Sequence, residues 1–166
     1  MSREEKILRV LELIRRNQVL QQMLDEAAAQ YLGINTTDGR AIDVIDQAGR
    51  ITAGDLAREL RLSTGAVTTI VDRLEGAGYA RRVADPDDRR RVLIEPTSKV
   101  RRVSEDIYGA PEQIFDWTSG YSDKDIDVIL RFQEQTRSWL GEHLTLAEQL
   151  NARKSVRKRL RGRGRA

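Results

Sequence analysis

Small hydroxyl-bearing residues and one glycine lie together on one face of a predicted helix. Ser63 and Thr64 stand at its N-terminus, where free backbone N–H groups and the helix dipole favour a phosphate. Thr68 and Thr69 follow one turn later, and a threonine can hydrogen-bond a base or a phosphate while its methyl group contacts a thymine methyl. Gly65 carries no side chain and so permits close approach. These residues predict contacts in the major groove of DNA rather than catalysis.

A second group of candidate contacts is the arginine run Arg89, Arg90 and Arg91, which follows the turn-forming sequence 85–88. Guanidinium groups at the tip of a hairpin suit the minor groove of DNA, because the negative potential is strongest where that groove is narrow. We expect one of the three to be only solvated or paired with an aspartate. Arg73, on the predicted helix, has two interpretations: a DNA contact in the major groove, or an ion pair with a neighbouring acid.

Three aspartates accompany these cations, although carboxylates repel phosphate. Asp87 and Asp88 lie in the same turn as the arginine run, and Asp72 lies on the outward face of the predicted helix. We expect them to pair with tip arginines and to fix the direction of the guanidinium groups. The acids within 123–127 lie near the N-terminus of another predicted helix, where a negative charge interacts favourably with the helix dipole. None of these acids is assigned to catalysis or to a metal.

The composition excludes several classes of function. The 166 residues include no cysteine and a single histidine, which excludes disulfides, thiolate catalysis, zinc–thiolate sites and direct thiol redox sensing. We find no nucleophile–base pair, phosphate-binding loop or metal cluster, so we expect neither an enzyme nor a cofactor. No stretch approaches 18 apolar residues, and the first residues lack an apolar run of the signal-peptide type. We therefore expect a cytoplasmic, nucleoid-associated protein with no membrane segment.

The formal charge of +3 is unevenly distributed along the chain. Residues 151–166 carry eight Lys and Arg and no acid, which leaves 21 bases against 26 acids, a charge of −5, in residues 1–150. The basic character therefore belongs to the end of the chain and says nothing about DNA binding by the rest. We expect this segment to be disordered because it has almost nothing to bury. Two roles are open for this segment: it either adds non-specific affinity for DNA phosphates or is only a solvated end of the chain.

Periodicity and turn residues predict helices interrupted by one β-hairpin. A short helix capped by Thr52 and a longer helix capped by Ser63 are separated by a tight turn, as in a helix-turn-helix. The hairpin with the arginine-rich tip follows, so the predicted fold is mostly α with a small two-stranded β-wing. The predicted helices cover residues 4–32, a second segment capped by Thr36 or Thr37, 52–60, 63–77, 97–108, 112–118 and 122–150, and the predicted strands cover 79–83 and 91–95.

The most specific pattern of the chain covers residues 51–95. It consists of Ile51-Thr-x-x-x-Leu56-Ala57-x-x-Leu60, Leu62-Ser63-x-x-x-Val67-Thr68, Val71-Asp72-Arg73-Leu74-Glu75-x-x-Gly78-Tyr79 and Arg82-x-x-Asp85-Pro86-x-Asp88-Arg89-Arg90. This pattern resembles the MarR family of bacterial and archaeal regulators. The resemblance implies a winged helix-turn-helix flanked by N- and C-terminal dimerisation helices. The corresponding regions are an N-terminal dimerisation helix (1–35), a DNA-binding lobe (36–96), C-terminal dimerisation helices (97–150) and a basic tail (151–166).

The same resemblance implies partners. A homodimer would place two winged heads on a near-palindromic stretch of double-stranded DNA, and a small anionic or phenolic ligand would bind between the dimerisation helices and the lobe. The chain departs from the family at 95–99, after the second strand, and at Pro111, which interrupts a helix that is commonly longer. Five aromatic residues either line a ligand pocket or pack in the dimer interface: Phe115, Trp117, Tyr121, Phe132 and Trp139.

The sequence therefore predicts a sequence-specific DNA-binding transcriptional regulator, expected to be a repressor. The alternative is an architectural DNA-binding protein of the nucleoid, in which the basic tail supplies the affinity and the head gives little specificity.

Overall fold

The chain folds as two compact units, Met1–Pro111 and Glu112–Ala166. The computed structural model describes the backbone of residues 1–163 and the side chains of residues 1–113 and 115–154. The elements are α1 (Arg3–Leu32), α2 (Thr36–Ala48), β1 (Ile51–Thr52), α3 (Ala53–Leu60), α4 (Thr64–Gly76), β2 (Ala80–Ala84), β3 (Val92–Pro96), α5 (Ser98–Tyr108), α6 (Pro111–Thr118) and α7 (Asp123–Arg163).

The helices of the first unit begin and end at capping residues. Gly33 ends α1 in the left-handed region, with φ 68°, which glycine adopts without steric cost. Thr52 and Ser63 cap α3 and α4, as predicted. The predicted cap of α2 is wrong: Asn35, rather than Thr36 or Thr37, accepts a hydrogen bond from the Asp38 backbone N–H at 2.9 Å. Asparagine is as strong an N-cap as aspartate, so the helix begins at Thr36 itself.

The sheet has three antiparallel strands in the order β1-β3-β2, where the sequence predicts two. The additional strand β1 has only two residues, and Ile51 pairs with Ile94 of β3. So short a strand has no alternation pattern that could reveal it. The hairpin of β2 and β3 begins and ends one residue later than predicted. The mostly helical fold with a small β-wing is confirmed.

The core of the first unit lies between α2, α3, α4 and the central strand. The inner face of α4 is an apolar stripe, of which Val67, Val71 and Leu74 are fully buried. Leu56 of α3 and Ile94 of β3 pack in the same cluster. Burial of this stripe leaves the opposite face of α4 exposed to solvent.

Helix α5 is anchored in the same core through Val100, which is buried. The chain therefore continues the first unit beyond the predicted lobe boundary at residue 96. The break predicted at Gly109-Ala110-Pro111 is present: Gly109 ends α5 with φ 84°, and Pro111 begins α6. Proline suits the first turn of a helix, where its missing N–H has no partner to lose. That 97–150 form dimerisation helices stays a prediction.

The second unit consists of the rest of α6 and of α7. Ser122 caps α7: its Oγ accepts from the Asp125 backbone N–H at 3.3 Å and its own N–H donates to Asp125 Oδ2 at 2.9 Å. Helix α7 continues to Arg163, through most of the basic tail, and residues 164–166 lie outside the described residues; that the tail is disordered stays a prediction. Alanine, leucine, lysine and arginine favour helix, and extending an existing helix needs no new nucleus. None of the described helices has the apolar length to cross a membrane.

Candidate nucleic-acid interface

The N-terminal half of α4 presents its polar face to solvent. Ser63, Thr64, Gly65, Thr68 and Thr69 are all exposed, as their spacing predicts. Ser63 Oγ accepts a hydrogen bond from the backbone N–H of residue 66 at 3.3 Å, which fixes the start of the helix. The preceding turn is tight because Arg61 adopts the left-handed region, with φ 53°. The five candidate contacts therefore form one continuous surface at the start of the second helix of a helix-turn-helix.

The hydroxyl protons of two threonines are already used inside the helix. Thr68 Oγ1 donates to the Thr64 carbonyl at 3.0 Å, and Thr69 Oγ1 donates to the Gly65 carbonyl at 3.2 Å. Their oxygen lone pairs remain as acceptors. Adenine N6 and cytosine N4 offer donors in the major groove, whereas a phosphate offers only acceptors. The geometry of Thr68 and Thr69 thus favours base edges over the DNA backbone.

Gly65 is not required by packing within the chain. A Cβ placed on it would have no neighbouring atom within 4 Å. Its φ is not in the positive range that favours glycine. The bare backbone at this position therefore faces open space on the same surface as the threonines, where a second molecule can approach closely.

Arg73 is engaged with another helix. Its Nε donates to Asp38 Oδ2 at 2.8 Å and its Nη2 donates to Asp38 Oδ1 at 2.5 Å. The hydrogen bond to this buried carboxylate raises the pKa of Arg73. Of the two interpretations of Arg73, the structure supports the ion pair, which ties α4 to α2. A DNA contact by Arg73 stays a prediction.

Asp72 pairs with an arginine of the wing, but not with one at its tip. Its Oδ1 lies 2.8 Å from Arg82 Nη2 on β2. Glu75, one turn later on α4, pairs with the same guanidinium and also accepts from the Arg82 backbone N–H at 2.7 Å. Burial opposes the charge of Arg82, but hydrogen bonds to Asp72 and the charge of Glu75 outweigh it and raise its pKa. The predicted partner of Asp72 is therefore wrong, because β2 rather than the tip lies beside α4.

At the tip of the wing, Asp88 orients an arginine as predicted. Asp88 Oδ1 accepts from the backbone N–H of Arg90 at 3.1 Å and from its Nε at 3.2 Å. The hydrogen bond from Arg90 lowers the pKa of Asp88, which keeps the pair charged. The Arg90 side chain is 92% exposed, and Arg89 is also exposed. Two guanidinium groups thus point into solvent from the tip.

Asp85, rather than Asp87, holds the other side of the turn. Its buried carboxylate accepts from the Asp87 backbone N–H at 2.9 Å and lies 3.7 Å from Arg91 Nε. The backbone N–H of Asp85 donates to the Arg91 carbonyl at 3.0 Å and closes the loop. Sequence reasoning took Asp85 for a turn residue only. Its position two residues before Asp87, typical of an Asx-turn, was the available signal.

Glu95 fixes the base of the wing, and sequence reasoning missed it. This buried carboxylate accepts from Arg81 Nε at 2.6 Å and from Arg50 Nε at 2.8 Å. The hydrogen bonds from Arg81 and Arg50 lower the pKa of Glu95. Arg81 is the cross-strand partner of Glu95, so the hairpin register contained this pair, whereas Arg50 comes from 45 residues away. The wing is thereby tied to the segment that precedes α3.

The remaining candidates belong to the second unit. All five aromatic residues proposed for a pocket or an interface are exposed on the second unit: Phe115, Trp117, Tyr121, Phe132 and Trp139. No group of three His, Cys, Asp or Glu side chains in the described part of the chain is arranged to hold a metal ion.

Comparison with known proteins finds a family model and several relatives that resemble this chain. The model of the MarR family matches residues 34–92. The chain is 36% identical over 149 residues to the uncharacterised HTH-type transcriptional regulator YcgE of Bacillus subtilis, covering 89% of this chain and 97% of the relative. It is 31% identical over 98 residues to the multiple antibiotic resistance protein MarR of Salmonella typhimurium, covering 57% of this chain and 68% of that protein.

A solved structure matches most of the chain. The DNA complex of Streptococcus pneumoniae FabT superposes with a TM-score of 0.55 at 25% identity, covering 84% of this chain and 98% of that one. The chain belongs to the MarR family of winged helix-turn-helix transcriptional regulators.

Proposed function

We propose that this regulator acts as a homodimeric, sequence-specific repressor on a near-palindromic operator. The observation that carries the proposal is the exposed N-terminal face of α4. Hydroxyl groups and the bare backbone of a glycine lie together on this face, and none of them is buried against the rest of the chain. A relative of known structure, FabT, is bound to DNA. Release of the operator by a small ligand completes the proposal.

The contacts divide by groove. Major-groove contacts would come from α4 through Ser63, Thr64, Gly65, Thr68 and Thr69, because recognition helices contact base edges with their N-terminal residues. The wing would enter the minor groove with Arg89, Arg90 and Arg91. The ion pairs of Arg82 with Asp72 and Glu75 support this division, since they hold the wing at a fixed position beside α4.

Exposed apolar side chains support the homodimer. Helix α1 leaves Leu8, Leu20 and Met23 open to solvent, and α7 does the same with Trp139 and Leu150. Monomeric proteins rarely expose apolar patches of this kind, so a second chain would cover them. A two-fold symmetric dimer presents two identical heads, which matches a palindromic site. The exposed aromatic residues of the second unit fit this interface better than a ligand pocket.

Selection from random duplexes, followed by fluorescence anisotropy, tests the proposal. We expect the selected sequence to bind at least about 10³-fold more tightly than a scrambled one at physiological salt. Light scattering should show two chains per site. A single chain per site at saturation would contradict the dimer, and equal affinity for both duplexes would contradict sequence specificity.

The architectural alternative makes a different prediction in the same assay. It requires equal binding to all duplexes, with a log–log salt slope of about −0.9 for each cation engaged. Removing residues 153–166 would nearly abolish binding by such a protein, but would only weaken an operator binder. In either case we propose that the protein acts on DNA in the cytoplasm, at the nucleoid.

A further inference from the structure

Arg82 lies where the wing leaves the three-stranded sheet. It pairs with Ile94 of β3, which pairs on its other side with Ile51 of β1. The pairing of β1 extends only to the level of Val83, and beyond that level the wing is a ribbon of two strands. Two-stranded ribbons twist more strongly than wider sheets and are only marginally stable by themselves. The direction of the ribbon therefore depends on what holds its first residues.

Two carboxylates of α4 hold Arg82, through both its side chain and its backbone. Asp72 Oδ1 lies 2.8 Å from Arg82 Nη2. Glu75, one turn later on α4, pairs with Arg82 Nη1 and accepts a hydrogen bond from the Arg82 backbone N–H at 2.7 Å. Strand β2 is the edge of the sheet on this side, so α4 takes the place of a further strand there.

The surroundings of Arg82 favour a fixed ion pair over a contact with DNA. Its side chain is 34% exposed and that of Glu75 is 32% exposed, so water screens their attraction only in part. Two carboxylates face one guanidinium, which gives the group a net negative charge. Such a group repels a phosphate, and Arg82 would have to leave both acids in order to bind one.

We propose that Arg82 is a positioning residue for DNA binding, which makes the minor-groove contacts of the wing depend on the placement of the recognition helix in the major groove. This role rests on the proposed function, in which α4 and the wing enter neighbouring grooves. Arg82 holds the start of the ribbon against α4 and itself contacts neither base nor phosphate.

The distance from Arg82 to the tip of the wing magnifies any movement at α4. Asp88, which orients Arg90, is six residues further along the chain, and at about 3.3 Å per residue this segment spans at most about 20 Å. A rotation of the ribbon by about 10° at Arg82 would move the tip by about 3 Å. Hydrogen bonds of about 2.9 Å do not survive such a displacement. Loss of the ion pairs would thus remove the tip contacts while β2 stays joined to β3.

A double-mutant cycle on the full chain tests the proposal, with anisotropy on the selected operator. Arg90→Ala removes a tip guanidinium and should lower operator affinity about five- to 150-fold in the natural background. Arg82→Met removes both ion pairs and should weaken the operator by at least the same factor. In the Arg82→Met background, Arg90→Ala should cost less than about twofold, because the tip is no longer held at the groove. Thr68→Val on α4 should cost the same factor in both backgrounds.

The preceding residue of the same strand supplies the matched control. Arg81 pairs with Glu95 inside the sheet, and Glu95 keeps Arg50 as a partner when Arg81 is removed. In Arg81→Met, the loss caused by Arg90→Ala should therefore stay within about twofold of its natural value. Disappearance of that loss in Arg81→Met as well would attribute the effect to general loosening of the hairpin and would overturn the assignment to Arg82.

Circular dichroism and urea denaturation establish that each variant is folded. If Arg82→Met does not fold, Asp72→Asn combined with Glu75→Gln removes both counter-charges and takes its place in the cycle. An unchanged loss from Arg90→Ala would overturn the proposal, and a salt slope reduced by about 0.9 in Arg82→Met would then identify Arg82 as a phosphate contact.

The natural chain reports the proposed function separately in the same assay. Without a preference for the selected operator, the repressor proposal and the role of Arg82 both fail. With that preference but no coupling between Arg82 and Arg90, only the role of Arg82 fails.

Discussion

Replacing Gly65 with alanine is expected to change stability and DNA affinity in opposite directions. A Cβ at this position meets no atom within 4 Å, so the folded chain accommodates it without rearrangement. Glycine within a helix is about 0.5–1 kcal/mol less favourable than alanine. Gly65 is the second residue of α4, in its first turn, so the expected gain in the free energy of unfolding is at most about 1 kcal/mol.

The same methyl group would lie between the helix and DNA. Displacement of α4 by a few tenths of an ångström would lengthen the DNA contacts that we propose for Thr64 and Thr68, on either side of Gly65. Loss of one base contact costs about 1–3 kcal/mol, which is a five- to 150-fold decrease in operator affinity. The variant should therefore be at least as stable as the natural protein and a poorer binder.

Urea denaturation and anisotropy on the selected operator measure the two effects. Gly76→Ala is the matched control, because Gly76 is also exposed on α4, with no atom within 4 Å of an added Cβ, but lies at the far end of the helix. The control should preserve operator affinity. Unchanged operator affinity in Gly65→Ala would refute the assignment of this surface to DNA.

Three further substitutions separate binding from folding. Thr68→Val removes an exposed hydroxyl but keeps the β-branch, so operator affinity measured by anisotropy should fall by about 1–3 kcal/mol. Thr68→Ser keeps the hydroxyl and should retain most of the operator affinity. Equal losses in the two variants would contradict base recognition by the oxygen. Arg90→Ala should cost about 1–3 kcal/mol of operator affinity and reduce the salt slope by about 0.9, with exposed Arg137→Ala as a silent control. Leu74→Ala, at a fully buried position, should lower the free energy of unfolding by about 2–5 kcal/mol in urea denaturation. A loss below about 1 kcal/mol would contradict this prediction, because it would show that neighbouring side chains fill the space left by the leucine.

The sequence determined the features that depend on neighbours along the chain. The caps Thr52, Ser63 and Ser122 bond to residues three positions away, and their patterns can be recognised without a fold. The stripe of α4 follows from the period of 3.6 residues alone. The pair of Asp88 with Arg90 spans two residues within one turn, so its prediction needed only the turn.

Contacts between distant segments could not be predicted in the same way. Arg73 had two interpretations until α2 placed Asp38, 35 residues earlier in the chain, beside it. The partner of Asp72 depended on where β2 lies relative to α4, which no local pattern specifies.

Three ion-paired groups connect segments of the first unit that are distant in the chain. Asp38 ties α2 to α4, Arg82 ties α4 to β2, and Glu95 ties β3 and β2 to the segment before α3. Each pair uses a carboxylate or guanidinium that would lose both a hydrogen bond and a counter-charge if its element moved alone. Displacement of α2, α4 or the wing by itself would therefore break at least one of these ion pairs.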